Sequence, residues 1–255
     1  MRILVCIKRV PLTGGKMSLA ADGLSLETSH LGFTIGPHEE CAVEEAVRLI
    51  EANGGESVVL TLGPADAVAQ LRDAMSLGID RAIHLETDAE EWDPEGTAAA
   101  IAEAIRADET ASGPFDLVLF GNEAADSGGY QVGLRVAHAL GRPAVRGAKG
   151  LAVSGTTVRV EQATKSGRDV YELPLPAVVT TLEGLNLPRY PSVPGRLRAR
   201  SKPVEVVAPS RPAQRLEKVR LAVPSGARKQ AEVLGQGPAA APRVVEVLKE
   251  LGVLA

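Results

Sequence analysis

Two stretches hold the residues that could do chemistry. Residues 119–133, LFGNEAADSGGYQVG, leave an apolar run at Phe120 and pass through acidic and small residues to Gly128-Gly129. A helical pattern follows. Backbone without side chains lets a phosphate come close, and a helix N-terminus offers unpaired N–H groups and about half a positive charge. Ser127 is placed to cap that helix or to bind a phosphate oxygen. The stretch holds no GxGxxG and follows the fourth expected strand, so it is no dinucleotide fingerprint. No GKS or GKT occurs, so it is no Walker loop. The competing reading is a plain glycine-rich turn from strand to helix.

The second stretch is His38-Glu39-Glu40-Cys41. It is half of an HExxH motif, but Ala42 stands where the second His belongs. The four histidines, His30, His38, His84 and His138, share no metal-ligand spacing. Glu44 and Glu45 read as solvated helix carboxylates, with Arg48 an i,i+4 partner for Glu44. Cys6 lies inside an apolar strand and reads as inert packing. There is no GxSxG and no Cys/His pair of nucleophile type. These residues suit holding a ligand better than turning one over.

The elements that must position them follow from periodicity. Ile3–Ile7 is a continuous apolar run with β-branched residues, a strand buried on both faces. Residues 12–36 read as a long loop or hairpin. Pro37 opens a helix whose stripe is Ala42, Val43, Ala46, Val47 and Ile50, ended by Gly54-Gly55. Val58–Leu62 is the second strand, and Ala65–Leu77 a helix closed by Gly78. Arg81–Leu85 is the third strand. Asp93-Pro94-Glu95 starts a helix to about Ala107. Phe115–Phe120 is the fourth strand and Tyr130–Leu140 its helix. Such alternation predicts parallel βαβ units, with ligands beyond the carboxyl ends of the strands. The ends of interest are Ile7-Lys8, Leu62-Gly63 and Phe120-Gly121.

Beyond residue 150 the pattern changes. Val158–Gln162, Tyr171–Leu173 and Ala177–Thr180 read as strands, with a turn at Lys165–Arg168. Eight of the seventeen prolines lie between Pro174 and Pro212, which rules out ordinary helix there and predicts an extended segment. Ala241–Leu254 reads as a terminal helix that packs on a body.

Composition narrows the class. Aromatics are 3% of the 255 residues, so the core must be aliphatic. No run reaches the roughly 20 apolar residues of a membrane span. The first residues read as a strand and not as a signal peptide, and Cys6 and Cys41 make no disulfide framework. A cytoplasmic setting is expected. Residues 189–229 carry eleven Lys or Arg against Glu205 and Glu217, within a chain of net charge −4. A basic arm on an acidic body points to an arm lying on an acidic partner surface. Nucleic acid is not expected, since no reading motif accompanies the charge.

Several pieces together resemble the small (beta) subunit of electron-transfer flavoproteins. They are RILVCIKRV at the start, CAVEEAVRL at 41–49 and LTLGPADAVAQLRDAMSLGIDRAIHL at 60–85. DLVLFGNEAAD at 116–126, LPLPAVVTT at 173–181 and LNLPRYPSVPG at 185–195 complete the set. The resemblance covers nearly the whole chain. It implies a doubly wound, mostly parallel α/β fold of the adenine-nucleotide-binding, HUP-like kind. A small β appendage and an extended Pro-rich C-terminal arm ending in a helix would complete it. The nucleotide domain would be 1–182, and 183–255 a recognition loop and an arm wrapping the partner.

The resemblance further implies an electron carrier without turnover of its own. A large (alpha) subunit would hold most of the FAD, and this chain would bury an AMP. Cys6, Leu62 and Gly63 would pack on the adenine. Gly36, Pro37, His38 and Glu39 would line base and ribose. Gly121, Asn122, Glu123 and Ala124, with Gly128, Gly129, Tyr130, Gln131 and Val132, would hold base edge and phosphate. Pro37-His38 and the 9–13 loop would complete the FAD pocket. A flavin-dependent dehydrogenase would dock on Pro191, Ser192, Val193 and Pro194, with Leu197 and Arg198 beside them. A quinone oxidoreductase or another acceptor would take the electrons onward. No membrane insertion is implied.

The chain departs from the family pattern at Gly36-Pro37-His38, Ala163, Lys165-Ser166-Gly167 and Ser127–Val132. The Gln-Val-Gly ending of that last loop is closer to members that hold a second FAD and bifurcate electrons. A stand-alone adenine-nucleotide binder of the universal-stress type shares the α/β logic, but has no use for a long basic Pro-rich arm.

Overall fold

The computed structural model describes residues 1–12, 14, 17–88, 90–223 and 232–254. Residues Met1–Val219 form one compact unit and Arg220–Ala255 a second. Thr13, Arg228 and Lys229, singled out by sequence, lie outside the described residues.

The expected apolar runs form the strands. β1 is Arg2–Cys6, and β2 Val10–Pro11 pairs antiparallel with β3 Phe33–Thr34. Helix α1, Pro37–Asn53, starts with Pro37 in its first turn and ends at Gly54, whose φ of 71° suits a residue without Cβ. β4, Glu56–Gly63, leads through a 3₁₀ turn to α2, Val68–Leu77. β5 is Arg81–Glu86. Asp93 caps α3, Pro94–Ser112, by accepting the Gly96 N–H at 2.6 Å. β6, Leu117–Gly121, precedes α4, Val132–Leu140.

Then come β7 Ala144–Ser154, β8 Thr157–Thr164, β9 Gly167–Pro174 and β10 Ala177–Thr181. The two residues Lys165-Ser166 turn β8 into β9, as the sequence predicts. β7 has no counterpart among the expected elements.

Among the described residues the main sheet has nine strands in the order β11-β5-β4-β1-β6-β10-β7-β8-β9, where β11 is Val204–Val207. The strands from β11 to β7 pair in parallel, whereas β8 and β9 extend the sheet as an antiparallel hairpin. Alternate residues of β1 enter opposite cores. Ile3 and Val5 pack with Val43, Leu71 and Met75 on the α1–α2 face, and Leu4 and Cys6 with Ile101, Ile105 and Val136 on the α3–α4 face. This is the doubly wound, mostly parallel sheet expected.

The chain builds β1, β4 and β5 outward to one side, then crosses by α3 to place β6 on the other side of β1. The strand order therefore reverses between β1 and β6, which is where ligands bind in open α/β sheets.

The Pro-rich stretch corrects an expectation. Val193–Ala199 is a short helix, α5, not extended chain. Ser192 caps it by accepting the Gly195 N–H at 3.1 Å, and Pro194 sits in the first turn, where a missing N–H costs nothing. An ideal Cβ on Gly195 would lie 2.4 Å from the Ser76 carbonyl, so the glycine lets α5 seat closely on α2. β11, Val204–Val207, follows and joins the sheet edge beside β5. In the second unit, α6 spans Ala241–Glu250.

Candidate nucleotide site

The site is built where β1, β6 and β10 end. Cys6 pairs in register with Phe120, and Thr180 with Phe120 on the far side of β6. The Cys6 thiol is buried, and burial pushes its pKa far upward, so it packs as a neutral group. Leu62 and Gly63 end β4, which borders β1 on its other side.

Helix α1 aims its N-terminus at this crevice. Its first residues, Pro37, His38 and Glu39, face the loop after β6. His38 accepts the Glu183 N–H on Nδ1 at 2.9 Å. That contact leaves the proton on Nε2, which reaches Glu123 Oε1 at 3.2 Å. Thr181 Oγ1 donates to the His38 carbonyl at 2.8 Å, tying β10 to the same turn.

Glu39 is the unusual group. It is 4% exposed, and among the described residues its Oε2 has no hydrogen-bond partner. Its carboxyl lies against two bare backbones. An ideal Cβ on Gly36 would come within 2.5 Å of Oε2, and one on Gly121 within 2.7 Å of Cδ. Burial pushes its pKa up to about 7; its own N–H and Lys8 oppose this, whereas Asp126 and Glu40 add to it.

The loop from 121 to 131 is partly self-held. The Asn122 side chain turns toward the sheet and accepts from Thr180 Oγ1 at 2.8 Å. The Gly128 N–H donates to the Ala124 carbonyl. Lys8 reaches across from the end of β1 to Asp126 at 2.8 Å. The exposed Tyr130 phenol is held above its ordinary pKa by the Glu123 carboxylate. Gly128 has a φ of 60°, and among the described residues no atom beyond its two chain neighbours lies within 4 Å of where its Cβ would be.

Helix α4 starts at Val132 and not at Tyr130. Ser127 does not cap it. The N-cap residue is Gln131, which makes no side-chain cap. Its side-chain oxygen accepts from Arg135 instead, at 3.1 Å. The first turn of α4 thus keeps unspent N–H groups beside the glycine pair.

Glu44 and Glu45 are not solvated. They are 4% and 6% exposed. Arg189 grips Glu44 through Nε at 2.9 Å and Nη2 at 3.0 Å, and holds Glu51 through Nη1 at 2.6 Å. Asn186 donates to Glu45 Oε2 at 2.8 Å and to the Cys41 carbonyl at 3.0 Å. Arg48 pairs with Glu45 at 3.4 Å, not with Glu44.

This clamp presents an apolar strip outward. Leu187 is 90% exposed, Tyr190 97%, Val193 72% and Leu197 59%. Pro191 and Ser192 lead into α5, and Arg196, Arg198 and Arg200 are exposed around it. Further along, the basic segment lies on this chain's own acid. Arg211 meets Glu90, Lys218 meets Glu91, and Arg215 and Leu216 donate their N–H groups to Asp93.

Sequence reading overlooked Asp126, Thr180, Thr181 and Glu183. The run LPLPAVVTT announced the strand, and its C-terminal end was the missed signal. Among the described residues no group of His, Cys, Asp and Glu could hold a metal ion. No helix of the described residues is long and apolar enough to cross a membrane.

The family model for the electron transfer flavoprotein domain matches residues 23–212. The beta subunit of electron transfer flavoprotein from Bacillus subtilis (strain 168) is 33% identical over 207 residues, 80% of this chain and 78% of the relative. The human beta subunit is 34% identical over 213 residues, 82% of each chain. That of Syntrophomonas wolfei is 35% identical over 211 residues, 82% of this chain and 80% of the relative. With a family model over most of its length and relatives a third identical over four fifths of it, the chain belongs to the beta-subunit family of electron transfer flavoproteins.

Proposed function

We propose that this chain is the small subunit of a heterodimeric electron carrier and holds AMP as a fixed part of its fold. One observation carries the nucleotide reading. At the switch point between β1 and β6 a buried carboxyl with an unspent oxygen lies against bare glycine backbone, and the loop after β6 leads into a helix whose N-terminus has no side-chain cap. The residues present fit an adenine mononucleotide. The first turn of α4 with Ser127, Gly128 and Gly129 would take the phosphate. Gly36–Glu39 and Gly121–Ala124 would take base and ribose, with Cys6, Leu62 and Gly63 beneath. Lys8 supplies a cation within reach of the loop.

FAD would be held mainly by the large subunit, and when bound it supplies the one-electron chemistry. This chain would contribute Pro37, His38 and the 9–12 segment to the edge of that pocket. Arg9 stacks on Phe33 at 3.3 Å there, which stiffens the β2–β3 ribbon. The second unit, with Val244, Val245, Leu251 and Val253 exposed, would cover its apolar surface against the large subunit.

The strip of Leu187, Tyr190, Val193 and Leu197 would dock a flavin-dependent dehydrogenase, and a quinone oxidoreductase or another acceptor would take the electrons on. A small, transient interface can rest on one apolar anchor. The clamp of Arg189 and Asn186 holds the root of this strip, which lowers the ordering cost of docking. Val193→Asp in the reconstituted heterodimer tests the docking. Electron transfer from the reduced dehydrogenase should fall at least roughly tenfold while the flavin spectrum stays intact. Unchanged rates would refute the assignment.

A further inference from the structure

We propose that the basic strap over residues 211–218 controls the loop over residues 121–131 by a cation switch. Glu91 and Glu95 each stand between a strap cation and a cation that holds the loop. The docked strap occupies both carboxylates and leaves the other two cations to the loop. That the loop holds a nucleotide rests on the reading above; the switch itself does not.

The strap is seated on the start of α3. Asp93 is 8% exposed, caps α3 and accepts the Arg215 and Leu216 N–H groups at 2.9 and 3.1 Å. Arg211 and Gln214 donate to the Glu91 carbonyl at 3.3 and 3.1 Å. An ideal Cβ on Gly96 would lie 3.2 Å from Pro212 Cγ, so the glycine lets the strap approach. These contacts bring Arg215 and Lys218 onto the acidic stretch before α3.

The two carboxylates are shared in the same way. Lys218 meets Glu91 Oε2, while Lys8 stands 3.9 Å from Oε1 and pairs with Asp126 at 2.8 Å. Arg215 stands 3.3 Å from Glu95 Oε1, while Arg135 stands 3.8 Å from Oε2 and donates to Gln131 at 3.1 Å. In both sets the strap cation is the nearer one to the carboxylate, and the other cation is nearer to the loop. Asp126 lies within the loop, and Gln131 ends it as the N-cap of α4. The loop is thus held at two places by cations that each have a second acid within reach.

The direction of the switch follows from Coulomb attraction. A carboxylate already paired draws a second cation weakly, and a bare one draws it strongly. Without the strap cations, Glu91 and Glu95 pull Lys8 and Arg135 away from Asp126 and Gln131, and the loop loosens. The paired groups are partly exposed, so each exchange is modest, but two act on one loop.

Hydrogen exchange on the full chain tests this. The reporter is the Gly128 N–H, which donates to the Ala124 carbonyl at 2.8 Å within the loop. Arg215→Gln with Lys218→Gln should speed its exchange about three- to tenfold. Adding Glu91→Gln and Glu95→Gln to that variant should return the rate to within about twofold of the wild type, because nothing then competes for Lys8 and Arg135. Arg168→Gln breaks an ion pair with Glu161 on the β8–β9 hairpin and should leave the rate unchanged. AMP affinity, measured by calorimetry, should fall and recover in the same order.

Unchanged exchange in the strap variant overturns the proposal. So does a combined variant that exchanges as fast as the strap variant or faster, which is the result if the strap merely braces α3. A comparable rise in Arg168→Gln overturns it as well. The replaced side chains of Glu91, Glu95, Arg215 and Lys218 are 41–76% exposed, and the strap keeps its backbone contacts with Asp93, so the fold is not at stake. A chain that binds no AMP overturns the nucleotide reading, and the exchange rates still decide on the switch.

Discussion

Replacing Arg189 by Met isolates the contact that joins the 41–49 and 185–195 stretches. The substitution keeps an unbranched apolar stem but removes the fork. Glu44 is then left as a carboxylate whose side chain is 5% exposed, with only the residue 189 N–H, at 3.1 Å, still donating to it. Removing one partner of a fully buried pair costs about 3–5 kcal/mol. The Arg189 side chain is 36% exposed, so water reaches part of this pair and the cost falls to about 2–3 kcal/mol.

For a chain of this size that lowers the melting midpoint by about 5–10 °C. Glu51 is the internal control. It meets the same guanidinium at 2.6 Å, but its side chain is 58% exposed, so Glu51→Gln should cost less than about 1 kcal/mol. Urea unfolding of the full chain, with Glu44→Gln and the double variant completing a cycle, measures the coupling. A coupling of about 1–3 kcal/mol between residues 44 and 189 is expected. Additive losses, or a Glu51 variant as damaging as the Arg189 variant, would refute the reasoning.

Other consequences are equally open to measurement. An ideal Cβ on Gly133 would lie 2.9 Å from Thr180 Cγ2 and 3.1 Å from the Phe120 ring, so Gly133→Ala should cost about 1–3 kcal/mol in urea unfolding. An unchanged midpoint would mean that α4 does not pack this closely. The folded Glu39 carboxyl titrates near 7, above its ordinary 4.5, so the folded chain binds that proton more tightly. Its effect is absent below about 4.5, and stability is lost as pH rises toward 7. Glu39→Gln should therefore stabilise the chain by up to about 3 kcal/mol at pH 8.5 and change little at pH 4.5. Equal effects at both pH values would contradict the burial argument. Exposed Arg196, Arg198 and Arg200 should speed encounter with an acidic partner. Electron transfer from the dehydrogenase should slow with added salt, and less so in a triple Gln variant. Identical salt slopes would exclude a steering role.

Much of the sheet was legible because its parallel strands are buried on both faces and read as apolar runs bounded by glycine. Strands alternating with helices pointed to the strand ends at Ile7-Lys8, Leu62-Gly63 and Phe120-Gly121, whereas Cys6 as a site residue came from the family resemblance. What was not legible depended on distant partners. Glu44 and Glu45 sit in a helical stripe that looks solvated, and only Asn186 and Arg189, far along the chain, explain their burial. Helix α5 was hidden by its prolines, although Ser192 and Pro194 are a helix start in their own right. β7 was hidden by Gly147 and Gly150, and β11 is four residues in a Pro-rich setting. The Asn122 side chain satisfies Thr180, a contact that required knowing β10 lies beside β6.

The most direct test of the carrier reading is to denature the purified heterodimer and identify what it releases by mass spectrometry. One FAD and one AMP per pair are expected. Two FAD per pair, or a folded complex that carries no flavin, would contradict the account.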